Sequence, residues 1–134
     1  YIINHSIMVQ TKFRTILASL VLVVVFAGCA PDPTERYLGF AQCLTDKGVI
    51  MYGSYRCSHC ANMKKLFVAS FRNIKYVECD PTSLKYEKEI CEKKQIQSYP
   101  TWEFADGSTQ LGEMSFEQLA KKSSCQLPEE EKPA

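Results

Sequence analysis

The chain has 134 residues, enough for one compact domain, and a formal net charge of +1 with 23% charged residues. So even a balance lacks the basic footprint of a nucleic-acid-binding protein. Seven cysteines in so short a chain point to an oxidising compartment where disulfides persist, and the odd count leaves one to be accounted for.

Residues 1–7 precede Met8 and read as sequence upstream of the true start. From Met8 a short basic region with Lys12 and Arg14 leads into a twelve-residue apolar run, Ile16 to Ala27, and then Gly28-Cys29. This is the order of a secretory signal. The run is shorter than the roughly 18 residues that a membrane-spanning helix needs. Phe26-Ala27-Gly28-Cys29 resembles the lipobox of bacterial lipoproteins, in which the cysteine is lipidated and becomes the first mature residue, with Phe26 where an aliphatic residue is usual. An uncleaved anchor and ordinary signal cleavage are the alternatives, and each carries the domain out of the cytoplasm. The division expected is a lipoprotein-type signal over 1–28, a lipidated Cys29 and stiff linker over 29–34, a folded domain over 35–125 and a flexible acidic tail over 126–134.

Thr34 offers an N-cap for a first helix with Tyr37, Phe40, Ala41 and Leu44 on one face, closed by Gly48. Val49 to Tyr52 is apolar throughout, as a central strand covered on both faces would be. After Cys60, the residues Met63, Leu66, Phe67 and Phe71 recur at helical spacing and predict an amphipathic helix. Ile74 to Glu78 reads as the next strand, and Asp80-Pro81 turns the chain toward a charged helix over Ser83 to Lys94 with a solvated face. Two strands, Thr101 to Ala105 and Ser108 to Leu111, flank Asp106-Gly107, a favoured two-residue hairpin turn. Ser115 with Gln118 gives a capping-box signature before Phe116, Leu119 and Ala120 of a last helix.

The chemistry is concentrated in Tyr55-Arg56-Cys57-Ser58-His59-Cys60, at the junction of the central strand and the second helix. Two cysteines three positions apart on the first helical turn can close a disulfide, while the unpaired N–H groups and positive dipole end of that helix stabilise a thiolate. Such settings lower a thiol pKa from about 8.5 to between about 3.5 and 7.5. Cys57 is then the nucleophile, with Arg56 and His59 placed to favour its reduced form, and a stabilised reduced form makes the disulfide a better oxidant. Zinc sites commonly use two such pairs, but Cys79 and Cys91 stand twelve apart with no nearby histidine, so no metal is expected. Covalent haem attachment needs histidine directly after the second cysteine, where this chain has Ala61. A purely structural Cys57–Cys60 bond would close too short a loop to stabilise much.

This order of elements, with Tyr99-Pro100-Thr101 ahead of the hairpin, resembles the thioredoxin fold over roughly 35–125: an α/β fold whose central mixed sheet has helices on both faces. Tyr52-Gly53-Ser54-Tyr55, Lys64-Lys65-Leu66-Phe67, Tyr76-Val77-Glu78-Cys79 and Ser98-Tyr99-Pro100-Thr101-Trp102 are similar to the thioredoxin-like domain fused to, or partnering, bacterial homologues of vitamin K epoxide reductase. The resemblance implies that Cys57 is the exposed nucleophile, Cys60 the buried resolving thiol and Pro100 a cis-proline against the dithiol. It further implies substrate contacts from Tyr55, Arg56, Tyr99 and Thr101, with the backbone of Tyr99 pairing with an extended chain. Two positions depart from the family: Arg56 replaces a tryptophan, and Met51, six before Cys57, stands where many relatives keep a buried acid for proton transfer. Along a thioredoxin-like path, of the three pairings open to the four remaining cysteines, chain direction favours Cys43–Cys125 and Cys79–Cys91 as structural bonds.

The activity implied is thiol–disulfide exchange with no cofactor beyond the redox-active disulfide. It would oxidise exported cysteine-containing proteins and be reset by a quinone-linked membrane thiol oxidase. The lipid on Cys29 would hold the domain at the membrane, on the periplasmic side or the cell surface. The alternatives are a tethered thiol reductase, for example in cytochrome maturation, and a copper-handling module. The latter is weakened because His59 is the sole histidine beyond the N-terminal segment and lies inside the cysteine pair.

Overall fold

The computed structural model describes residues 36–128. The expected signal, Cys29, the linker, the Thr34 cap and residues 129–134 lie outside the described residues.

In chain order the described elements are α1 (Leu38–Asp46), β1 (Ile50–Gly53), α2 (Ser58–Phe67), a 3₁₀ turn (Val68–Asn73), β2 (Lys75–Glu78), α3 (Lys88–Lys93), β3 (Thr101–Glu103), β4 (Thr109–Leu111) and α4 (Phe116–Ser123). Among the described residues the sheet has the order β2-β1-β3-β4, with β1 parallel to β2 and antiparallel to β3. It is therefore mixed, and β1 is an interior strand. Alternation along β1 sends Met51 into a large cluster with α1, α2 and α4, and Tyr52 into a smaller one with Val77 and α3. Helices thus cover both faces, in a thioredoxin-like fold. Among the described residues no helix is long and apolar enough to cross a membrane.

The larger cluster is built on aromatic contacts: Phe116 meets Tyr37, Phe40 and Phe67 edge-on with ring centroids 4.6, 5.3 and 4.9 Å away. Phe116 is held there by a formed capping box, in which Ser115 Oγ accepts from Gln118 N and Gln118 Oε1 accepts from Ser115 N.

Local chemistry overrides the sequence pattern in four places. Leu66 is 38% exposed, because the buried line of α2 runs through Cys60, Met63 and Phe67. Val68 takes φ +52° and ends the helix, so Phe71 lies on the 3₁₀ turn. Only Lys88–Lys93 of the expected 83–94 helix is helical. Upstream, Asp80 Oδ1 accepts from Thr82 N and Ser83 Oγ from Lys85 N, giving the backbone local partners in place of a helical ladder. The hairpin has three loop residues, Ala105-Asp106-Gly107, inside a Phe104 N to Ser108 O bond, with Gly107 alone of the three at positive φ (+78°), so it is not the expected two-residue turn. The C-terminal side also stays packed beyond Cys125, since Leu127 lies against the core and Pro128 is buried.

Cys43 is bonded to Cys125 with Cα atoms 6.0 Å apart, and Cys79 to Cys91 at 5.7 Å. The first bond joins α1 to the end of α4 across 82 residues, while the second closes 12. In the chain-entropy model these loops confer about 4 and about 3 kcal/mol. Cys43→Ala with Cys125→Ala should lower the unfolding free energy by about 4 kcal/mol, read as an earlier urea midpoint; an unshifted midpoint would show that the bond does not constrain the unfolded chain.

Candidate active site

The sheet presents the dithiol at the carboxyl end of β1. Gly53 closes the strand, Ser54 turns the chain, and Cys57 N donates to Ser54 O at 3.1 Å. Cys57 is the N-cap of α2 with extended dihedrals, φ −81° and ψ 120°, and its carbonyl accepts from Ala61 N at 3.0 Å. The open N–H groups of the first turn therefore surround the cysteine pair. Cys57 and Cys60 are the free cysteines of the described chain.

Their surroundings differ sharply. Cys57 is half-buried, and its Sγ lies 3.5 Å from the carbonyl oxygen of Tyr99. Cys60 is 1% exposed, and burial pushes its thiol up to about 12, with the neighbouring Cys57 acting in the same direction and a Ser54 backbone hydrogen bond and Lys64 opposing it.

Tyr99-Pro100 is a cis peptide, and Pro100 is fully buried beside the dithiol. Tyr99 is anchored at both ends: its hydroxyl donates to Cys79 O at 2.8 Å while its carbonyl faces Cys57. Tyr55 is 55% exposed, with its hydroxyl 3.1 Å from Thr82 Oγ1. Arg56 is exposed, and its N–H donates to Ser54 Oγ at 3.1 Å. These three residues border Cys57. Thr101 is 4% exposed, and its hydroxyl donates to Ser98 O at 2.7 Å within the turn.

His59 has a partner that the sequence pattern does not indicate. Its Nδ1 lies 2.6 Å from Glu113 Oε1, which accepts from Asn62 Nδ2 at 2.9 Å as well, and these contacts hold the Glu113 carboxyl below its usual range. Glu113 is thus a direct polar partner of His59, one residue before Cys60.

Sequence reasoning passed over a polar cluster behind the dithiol. Ser54 Oγ donates to Asp80 Oδ2 at 2.7 Å, and the hydrogen bonds that Asp80 receives, from Thr82 first and Ser54 next, keep its carboxyl low. Glu78, 5% exposed, accepts from the backbone of Tyr55 and Asp80 and from the Tyr76 hydroxyl. The available signal was Tyr76-x-Glu78, whose spacing puts both side chains on one face of β2.

A free cysteine pair at a helix N-terminus, against a cis-proline on a mixed sheet of this order, is the thioredoxin arrangement. The chain belongs to the thioredoxin superfamily. No protein-family model matches it. It is similar to the thiol-disulfide oxidoreductase LTO1 of Arabidopsis thaliana, with 32% identity over 94 residues, covering 67% of this chain and 25% of that protein. The chain thus spans a quarter of the length of this relative. The free pair Cys57 and Cys60 at the start of α2 is the group in this arrangement whose chemistry is thiol–disulfide exchange.

Alkylation of the reduced protein should label Cys57 well before Cys60. Labelling of Cys60 should keep rising beyond about pH 10, where an ordinary thiol of pKa about 8.5 has levelled off. Equal labelling rates with a common plateau would contradict the burial of Cys60.

Proposed function

We propose that this chain is an extracytoplasmic disulfide-donating oxidoreductase, with Cys57 as the nucleophile and Cys60 as its resolving partner. The observation that carries the reading is the asymmetry of the pair: a reachable Cys57 beneath the Tyr99 carbonyl, and a Cys60 sealed in the core. A substrate thiolate attacks oxidised Cys57 and Cys60 leaves. A second substrate thiol then attacks the mixed disulfide, releasing an oxidised substrate and the reduced pair. Tyr55, Arg56 and the Tyr99 backbone receive the substrate chain, and exported cysteine-containing proteins are the substrate class.

Two structural disulfides support an oxidising location. The further proposals are that residues 1–28 are a lipoprotein signal, that Cys29 carries the lipid anchor, and that a quinone-linked membrane oxidase of the vitamin K epoxide reductase type resets the dithiol. The motifs shared with the thioredoxin-like partner domains of that family support the last.

A reductase running in the opposite direction gains from one observation, the Glu113 carboxylate paired with His59. The copper-handling reading loses ground for the same reason, since the His59 ring nitrogen Nδ1 is taken up by Glu113, which also accepts from Asn62.

The reduction potential separates oxidase from reductase. A donor should lie nearer the about −120 mV of a strong periplasmic oxidant than the about −270 mV of a thioredoxin, and His59→Ala should make it less oxidising. The His59 substitution acts by leaving the Glu113 carboxylate without its imidazole partner, and a potential at or below the thioredoxin value would reverse the assigned direction. Mass spectrometry of the mature N-terminus from a bacterial host should find diacylglycerol on Cys29, and a product that begins after Ala30 would refute the anchor.

A further inference from the structure

When Cys60 resolves a mixed disulfide its thiol must lose a proton, and its buried position opposes the thiolate. Met51 is fully buried in the core and supplies no base. A hydroxyl hydrogen-bonded to a carboxylate reaches the same space from the neighbouring strand. Gly53 is the register partner of Glu78, and Tyr76 lies two residues before Glu78 on the same face of β2. A Cβ built on Gly53 would stand 2.9 Å from Cys60 Sγ and 3.1 Å from the Tyr76 hydroxyl, so thiol and hydroxyl share the space that the missing side chain leaves. Tyr76 donates to Glu78 Oε2 at 3.0 Å, which leaves lone pairs on the phenol oxygen that can accept from Cys60. Glu78 Oε1 accepts from Tyr55 N at 3.2 Å and Asp80 N at 2.9 Å. Glu78 thus accepts three hydrogen bonds, two on Oε1 and one on Oε2.

We propose that Glu78, acting through the Tyr76 hydroxyl, takes the proton of Cys60 when that thiol resolves a mixed disulfide on Cys57.

The proposal rests on the dithiol reading above and adds its proton path. Cys60 passes its proton to the Tyr76 oxygen as the Tyr76 hydroxyl proton moves to Glu78 Oε2. The Cys60 sulfur forms an S–S bond with Cys57, the bond from Cys57 to the partner's sulfur breaks, and the partner departs as a thiolate with the electron pair. The oxidant is the partner's own disulfide, which Cys57 opened in the preceding step. Run backwards, the same path protonates Cys60 as it leaves. Burial, together with the hydrogen bond to Glu78, pushes the Tyr76 hydroxyl up, so Tyr76 relays a proton without itself ionising. The other titratable groups facing the cluster include Cys57, Lys64, whose Nζ lies 4.2 Å from the Tyr76 ring centroid, Asp80, which accepts from Ser54, and Tyr99, whose hydroxyl donates to Cys79 O. Lys64 favours the thiolate and Cys57 opposes it, and neither lies on the Tyr76–Glu78 path.

Rapid mixing of the reduced full chain with oxidised glutathione, with acid quench and mass analysis, separates formation of the Cys57 mixed disulfide from its resolution by Cys60. Glu78→Gln and Tyr76→Phe should still form the intermediate but resolve it about tenfold or more slowly near about pH 7, and the deficit should shrink as pH rises and hydroxide replaces the missing base. Resolution at the wild-type rate, or a slowing that is equal at every pH, overturns the relay. Glu78→Gln keeps an acceptor for the Tyr55 and Asp80 N–H groups; should it fail to fold, Tyr76→Phe decides alone, because it removes one oxygen atom. A wild-type protein that forms no mixed disulfide on Cys57 overturns the dithiol reading and the relay with it, whereas normal formation followed by unimpaired resolution in the variants overturns the relay only.

Discussion

The close approach of the dithiol helix to the sheet depends on there being no side chain at Gly53. A Cβ at that position would lie 2.7 Å from a Tyr76 ring carbon and 2.9 Å from the Cys60 sulfur, and both of those groups are fixed by packing. Any larger residue would have to lift the first turn of α2 or expel the Tyr76 ring. Lifting the turn would admit water to Cys60, and the difference between the two sulfurs would shrink. The identity of one residue at the end of β1 therefore governs how unlike Cys57 and Cys60 are, which is the property that gives the pair a direction of attack.

That difference is maintained from two sides. On the front, Cys57 sits at an N-cap among backbone donors, with the Tyr99 carbonyl as its neighbour. At the back, Glu78 ties the Tyr55 loop, the Asp80 loop and the Tyr76 hydroxyl to one buried carboxyl group. The loop that carries the nucleophile is thus positioned from behind by polar contacts as well as by the sheet. A buried carboxyl group costs less when all its hydrogen bonds are made.

What the sequence made legible was whatever depends on local pattern. The strand at 49–52, the dithiol on a helix start and the Ser115–Gln118 capping box are short-range signals, and chain direction then limited the cysteine pairings. Element lengths were less legible because side chains competed for the backbone. Asp80 and Ser83 bind nearby N–H groups and delay α3 to Lys88, and Gly107 draws the hairpin into a three-residue loop. Glu78 escaped notice because a glutamate closing an apolar strand reads as solvent-facing. Only the parallel register with β1 turns it toward Gly53 and the core. His59 was read by its spacing from the cysteines, whereas its actual partner, Glu113, lies 54 residues away.

The Cys43–Cys125 bond also has a mechanical consequence. It staples the first described helix to the end of the last, enclosing the sheet and the dithiol within one covalent ring of the backbone. Tension applied to the chain on either side of that ring runs from Cys43 to Cys125 through the sulfur–sulfur link and bypasses the strands between. A pull from a tether at one end or an attached segment at the other would therefore load a covalent bond, and the dithiol would keep its geometry under force for as long as that bond stayed oxidised.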